Sequence, residues 1–145
     1  HAYQGTLDKY IGDEVMALFG APLPQPDHAL RAVRVGLEMQ VAHQRLMADW
    51  AARGIEAAAL GIGMATGEVV VGEFGCELRT DYTIIGPTAN LGARICAVAK
   101  PGEVLISPET YELVKDAVEA TPIPGMRFKG IDEDVTVYAV TRVLD

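Results

Sequence analysis

A lysine and an aspartate flank a tight-turn sequence near the start of the chain, Lys9-Tyr10-Ile11-Gly12-Asp13. A Gly-Asp pair between two strand-like runs predicts a β-hairpin, which would bring both side chains to one end of a sheet. An exposed carboxylate at such a turn suits Mg²⁺, which binds one or two carboxylates together with phosphate oxygens. The alternative is that Asp13 only forms the turn and that Lys9 is solvated.

A second candidate site lies where a predicted strand, Asp81–Ile85, passes through Gly86 into a helix that starts near Pro87. Helix N-termini favour anions. Asn90 and Arg94 are at positions i and i+4, so they share one helix face and could bind a ribose oxygen and a phosphate together. The alternative is a surface arginine packed on a polar asparagine.

A third candidate is Lys129, in the run Phe128-Lys129-Gly130. A lysine at the end of a strand, directly before a glycine, could reach a phosphate. The alternative is an ordinary lysine in a hairpin turn.

The elements that must position these residues alternate between strands and helices, and the hairpins among them imply a mixed or antiparallel sheet. The predicted class is therefore an α+β sandwich in which helices pack on the sheet. The predicted order begins with a hairpin over 4–20, a loop over 21–26 and a helix over 27–53, with Asp27 as its N-cap and Gly54 after its end. Strands follow at 58–64 and 69–71, then an exposed hairpin tip or flap at 72–80, a strand at 81–85 and a helix to about 100. The last elements are a strand at 103–106, a short helix over 107–114 and a hairpin over 126–143 that turns at 130–133.

Composition excludes several classes of function. The formal net charge of −8 argues against a nucleic-acid-binding protein, which needs a basic face. No apolar stretch is long enough to span a bilayer, so no membrane contact is expected and a cytoplasmic location is predicted. Cys76 and Cys96 are too few for a disulfide framework and are interpreted as small buried residues in a reducing compartment. Because the chain starts at His1 in mid-pattern, a fragment of a longer protein is expected.

Four segments together resemble the catalytic domain of class III adenylate and guanylate cyclases, in the same order along nearly the whole chain. They are K-x-x-G-D-x-x-M-A-x-F-G-A-P at 9–22, G-I-G-M-A-T-G-E-V-V-V-G at 61–72, D-Y-T-I-I-G-P-T-A-N-L-G-A-R at 81–94 and F-K-G-I at 128–131. The resemblance is closest to the bacterial homodimeric branch related to bicarbonate-responsive cyclases. It implies a ferredoxin-like cyclase fold whose first strand and helices are missing, so that residues 1–145 would be the C-terminal part of the domain.

By this resemblance, the chain would convert ATP to cyclic AMP and pyrophosphate with two Mg²⁺ or Mn²⁺ ions per site. Asp13 matches a metal ligand, and Lys129 matches a lysine that binds the terminal phosphates. Asn90 matches the residue that orients the ribose, and Arg94 the arginine that stabilises the transition state.

Base recognition is assigned by the same resemblance. Lys9 matches a lysine that donates to adenine N1, and Thr83 matches a residue that accepts from the exocyclic amine. Guanylate cyclases usually carry Glu and Cys or Ser at these positions, so the Lys/Thr pair implies ATP rather than GTP.

Each site of such an enzyme spans a homodimer, with Asp13 from one chain and the other site residues from its twin. The family's other metal-binding aspartate, in a motif like F-x-D-I-x-x-F, has no counterpart here, so this chain alone is expected to be inactive. The alternatives are a guanylate cyclase and a catalytically silent cyclase-like module that dimerises or regulates a neighbour. Regulatory domains elsewhere in the parent protein would be compatible with all three.

Overall fold

The computed structural model describes the chain except residues 1–5, 12–13, 21–25, 57, 69, 77–78 and 145. For residues 6–11, 14–16, 18, 70–76 and 79–85 it describes the backbone alone. The elements of the described residues are β1 (Thr6–Ile11), β2 (Glu14–Leu18), α1 (His28–Ala52), β3 (Ile62–Met64), β4 (Val70–Cys76), β5 (Arg79–Ile85), α2 (Pro87–Val98), β6 (Val104–Ile106), α3 (Pro108–Val114), β7 (Val118–Met126) and β8 (Val135–Val143).

The central sheet is mixed and has the strand order β3-β6-β8-β7. β3 and β6 run parallel, whereas β8 is antiparallel to both β6 and β7. Two further antiparallel pairs form, β1 with β2 and β4 with β5. This arrangement confirms the predicted α+β class with a mixed sheet and helices packed on it.

Two apolar clusters lie on opposite faces of the central sheet, because adjacent residues of a strand point to opposite sides. Val104 and Ile106 of β6 belong to the first cluster, which includes Val33 of α1 and Val114 of α3. Leu105, between them, belongs to the second cluster, which includes Ile95 of α2. The sheet is therefore a middle layer between α1 and α3 on one side and α2 on the other.

The long helix α1 was predicted well, but its start differs from the prediction. Asp27 occupies the N-cap position without capping the helix through its side chain. Its carboxylate instead accepts a hydrogen bond from Arg31 Nε at 2.8 Å, one turn into the helix. At the other end, Gly54 has a φ of +78°, which confirms the predicted glycine after the helix.

The strand predicted over 58–64 is wrong in its first half, since β3 covers only Ile62–Met64. Two of the preceding carbonyl oxygens lie within hydrogen-bond distance of side chains of α1. His43 Nε2 lies 2.8 Å from the Ala58 carbonyl oxygen, and Gln40 Nε2 donates to the Leu60 carbonyl oxygen at 2.8 Å.

The hairpin tip or flap predicted over 72–80 is part of a β-hairpin, and only its extent differs, because β4 continues to Cys76 and β5 starts at Arg79. The strand run predicted at 69–71 is the beginning of this longer β4. The last hairpin starts earlier than predicted, with β7 at Val118–Met126. The sequence did not predict this strand because it contains Pro122 and Pro124. Among the described strands β7 pairs only with β8, so it lies at an edge of the central sheet, where prolines are tolerated. No helix among the described residues is long and apolar enough to cross a membrane.

A buried glutamine of α1 ties the ends of β3 and β6 together. Gln40 is 6% exposed, and its amide donates to the carbonyl oxygens of Leu60 and Glu103 at 2.8 and 2.9 Å. Both carbonyls also accept a backbone N–H, Leu60 from Gly102 and Glu103 from Ile62, so neither would lose its last partner if the amide were removed.

Gln40→Leu is therefore expected to lower the free energy of unfolding by about 1–2 kcal/mol, which is the net value of two hydrogen bonds whose acceptors stay partly satisfied. Urea unfolding followed by circular dichroism measures this difference. The matched control is Gln44→Leu, at an exposed position of the same helix, which should change stability by less than about 0.5 kcal/mol. Equal stabilities for the two variants would contradict the role assigned to Gln40.

Candidate active site

The predicted anion-binding helix is present as α2, which starts at Pro87 directly after β5. The chain turns through Gly86, whose φ of +143° is strained for any residue with a Cβ atom. The first backbone hydrogen bond of the helix runs from the Asn90 N–H to the Gly86 carbonyl oxygen at 3.2 Å. This local geometry places Asn90 at the exposed beginning of the helix and Arg94 one turn further, half-buried.

Arg94 lies against the turn that carries Lys129. A Cβ atom built on Gly130 would be 3.6 Å from Arg94 Nη1. The turn is held in place by the preceding residue, because Phe128 is 7% exposed and belongs to the same apolar cluster as Ile95, the neighbour of Arg94 on α2. The structure thus places Arg94 of the helix next to the turn that contains Lys129, although the two residues were predicted separately.

The guanidinium of Arg94 and the ammonium of Lys129 form no ion pair with any residue that the structure describes. The nearby Arg127, by contrast, pairs with Asp134 at 3.0 Å across the base of the turn. A guanidinium without a carboxylate partner is available to bind an anion. The corner between α2 and residues 128–130 therefore offers at least one cationic group, Arg94, to an anion such as a phosphate.

The two residues predicted to recognise the base lie on strands that contact each other. Lys9 is in β1 and Thr83 is in β5, and these strands pack together. β5 continues through Gly86 into α2, so the strand of Thr83 is joined directly to the helix of Asn90 and Arg94. For Lys9 and Thr83 these are backbone positions, since their side chains are outside the described part of the structure.

The predicted metal ligand, Asp13, lies outside the described residues, between β1 and β2. Within the described part of the chain, no group of three or more His, Cys, Asp or Glu side chains could hold a metal ion. The role of Asp13 stays a prediction.

The support beneath α2 was missed in the sequence. An alanine Cβ at Gly63 would overlap the backbone nitrogen of Cys96, and one at Gly67 would overlap the hydroxyl of Thr88. Small residues at every second position from 61 to 67 were the available signal, because one face of an extended segment can touch a helix backbone only when its side chains are small.

The chain belongs to the family of adenylate and guanylate cyclase catalytic domains, whose family model matches residues 6–142. This membership agrees with the fold and with the cationic corner beside α2.

Two solved structures are similar to nearly the whole chain. The adenylyl cyclase CyaB from P. aeruginosa is 39% identical with a TM-score of 0.92, over 97% of this chain and 74% of that one. The guanylyl cyclase Cya2 is 38% identical with a TM-score of 0.93, over 99% of this chain and 73% of that one. The fold therefore does not distinguish between the two activities that these proteins are named for.

Among curated proteins, adenylate cyclase 1 of Rhizobium meliloti is 30% identical over 145 residues. The match covers 99% of this chain but 22% of that protein. The chain thus spans about a fifth of the length of this relative.

Proposed function

We propose that this chain is part of an adenylate cyclase catalytic domain, which converts ATP into 3′,5′-cyclic AMP and pyrophosphate. The observation that carries the proposal is the half-buried guanidinium of Arg94, which lies beside the turn of Lys129 and forms no ion pair with any described residue. A guanidinium at a turn that carries a lysine suits the charge of a triphosphate, and membership of the cyclase family supplies the reaction type.

In this reaction the ribose 3′-oxygen forms a bond to the α-phosphorus and loses its proton to solvent, while the bond from the α-phosphorus to the bridging oxygen breaks and pyrophosphate leaves. Asn90 would orient the ribose, so that the 3′-oxygen is in line with the leaving group. Arg94 would stabilise the negative charge that develops on the α-phosphate oxygens. Lys129 would bind the terminal phosphates.

Two Mg²⁺ or Mn²⁺ ions would be held by Asp13 and by a second carboxylate that these 145 residues do not supply in the expected motif. When bound, such ions lower the pKa of a hydroxyl and neutralise phosphate charge. We further propose a homodimer in which Asp13 of one chain serves the site formed by the other residues of its twin. The homodimer is supported by the family resemblance. A two-fold symmetric pair of chains would also form two equivalent sites.

The direct test measures cyclic AMP and cyclic GMP formed from ATP and GTP, with Mg²⁺ or Mn²⁺ present, in the natural protein including any residues that precede His1. Formation of cyclic AMP in preference to cyclic GMP supports the proposal. A preference for GTP would support a guanylate cyclase, the second candidate, which the similarity to Cya2 favours. Formation of neither product would overturn both.

The preference for ATP depends on Lys9 and Thr83, which lie on contacting strands. The double variant Lys9→Glu, Thr83→Cys is expected to change the ratio of kcat/KM for ATP over GTP by about 10²-fold toward GTP. The physical reason is that each change replaces a group matched to adenine by one matched to guanine, and an unpaired polar group costs about 1–3 kcal/mol per position.

The two single variants are the controls for base recognition, and each should shift the ratio less than the double variant does. Total activity on the preferred nucleotide should stay measurable, since neither residue is assigned to the reacting phosphate. An unchanged ATP/GTP ratio in the double variant would refute the assignment of these residues while leaving the cyclase reaction itself intact.

A further inference from the structure

α2 rests on β3 and on the residues at either end of this strand, through a series of close contacts along one side of the helix. At every second position from 61 to 67, this segment faces α2 or Ala99, the residue after the helix. The contacts are Gly61 with Ala99, Gly63 with Cys96, Ala65 with Gly92, and Gly67 with Thr88. A Cβ built on Gly92 would be 3.7 Å from the Ala65 Cβ atom. The contacts of Gly61 and Gly63 are with backbone atoms, and those at residues 65 and 67 involve the Ala65 Cβ atom and the short Thr88 side chain. Because the contact surface is close-packed, a displacement of residues 65–67 would displace the beginning of α2.

The opposite side of the same segment is held by a chain of hydroxyl groups. Thr66 lies between the two residues that touch α2, and its Oγ1 is 2.7 Å from Thr110 Oγ1 on α3. Thr110 Oγ1 is in turn 2.9 Å from Ser107 Oγ. Ser107 and Thr110 are 0% and 1% exposed, so the bond between them is shielded from water, whereas the Thr66–Thr110 bond is partly buried.

The hydroxyl chain is itself fixed to the central sheet. The Ser107 N–H donates to the carbonyl oxygen of Met64, the last residue of β3, at 2.9 Å. Ser107 Oγ also accepts from the Thr110 N–H at 3.2 Å and so caps α3. The Thr66 hydroxyl is therefore the link between a rigid, buried unit and the loop that supports the candidate catalytic helix.

We propose that Thr66 is a positioning residue, whose hydrogen bond to Thr110 seats α2 and thereby sets the place of Arg94 at the reacting phosphate. This inference rests on the proposed cyclase function. Thr66 has no role in binding nucleotide. Its effect passes through residues 65 and 67 into the helix, where a shift of a fraction of an ångström weakens a transition-state contact more than ground-state binding.

Thr66→Val in the full-length protein tests this role, since valine has the shape of threonine and lacks the hydroxyl. Thr110 and Ser107 can still bond to each other, so no buried hydroxyl loses its last partner. The expected result is a fall of about tenfold in kcat with KM for ATP changed by less than about twofold. Thr66→Ser, which keeps the hydroxyl, should retain most of the wild-type kcat.

Hydrogen exchange followed by mass spectrometry provides a readout that does not need activity. In Thr66→Val the amides of residues 88–98 should exchange about tenfold faster, whereas those of α1 should not change. The matched control is Thr141→Val, which removes an exposed hydroxyl bonded to the Glu119 carbonyl oxygen on the β7–β8 pair, and it should change neither readout.

The outcomes separate this inference from the proposed function. A wild-type kcat, or unchanged exchange in α2, would overturn the role of Thr66. The role of Thr66 would also be overturned if the loss of activity in Thr66→Val were fully explained by the fraction of unfolded protein and Thr66→Ser did not restore activity. If the wild-type protein made no cyclic nucleotide, the cyclase proposal would fall, and the exchange experiment would still decide whether Thr66 seats the helix.

Discussion

Arg94→Ala is expected to lower kcat for cyclic AMP formation by about 10²–10³-fold, the usual effect of removing one group that stabilises transition-state charge. The guanidinium is half-buried beside Gly130 and forms no ion pair with any described residue, so its charge is available to a phosphate. KM for ATP should change much less than kcat, because the charge on the α-phosphate oxygens develops during the reaction. Steady-state kinetics of the natural full-length protein measures both constants.

Two control variants make this result specific. Arg94→Lys keeps the positive charge but loses the planar set of donors, so its kcat should lie between those of wild type and Arg94→Ala. Arg142→Ala removes an exposed arginine that pairs with Glu119 across β7 and β8, and it should leave kcat unchanged. Wild-type kcat in Arg94→Ala, with thermal unfolding showing an intact fold, would refute the assigned role.

The helices could be predicted because their signals are local. The apolar stripe of α1 and the glycine after its end lie within one stretch of sequence, and so do Gly86 and Pro87 at the start of α2. The strands were predicted less well, because strand pairing is not local. β4 and β5 extend beyond the predicted runs into residues that are mostly polar or small, because each strand satisfies the backbone of the other, from Val70 opposite Ile85 to Cys76 opposite Arg79.

In the candidate site, too, the features that depend on local sequence could be predicted, and those that depend on contacts between distant residues could not. That Asn90 and Arg94 share a helix face followed from their spacing, and the family resemblance suggested their roles. That Arg94 meets the turn at Gly130 could not be deduced from spacing, because it depends on Phe128 packing into the cluster beneath α2. The hydroxyl of Thr66 was missed because its partner, Thr110, is distant in sequence and nothing local marks the pair.

The second large effect is predicted for Gly63, where β3 touches α2. An alanine Cβ at this position would overlap backbone atoms of Cys96, and backbone cannot move aside as a flexible side chain can. Gly63→Ala is therefore expected to lower the free energy of unfolding by about 3 kcal/mol or more. Because relief of the overlap requires α2 to move away from the sheet, kcat should fall as well, even under conditions where the protein stays folded.

Gly92→Ala is the matched control on the facing side of the same contact surface. A Cβ there would lie 3.7 Å from the Cβ of Ala65, an ordinary van der Waals distance, within a helical backbone that alanine favours. This variant should raise the free energy of unfolding by about 0.5–1 kcal/mol and leave kcat unchanged. Urea unfolding of both variants measures the contrast. Similar stabilities would mean that α2 does not rest on β3 as closely as the structure shows, and the proposed seating of Arg94 would lose its physical basis.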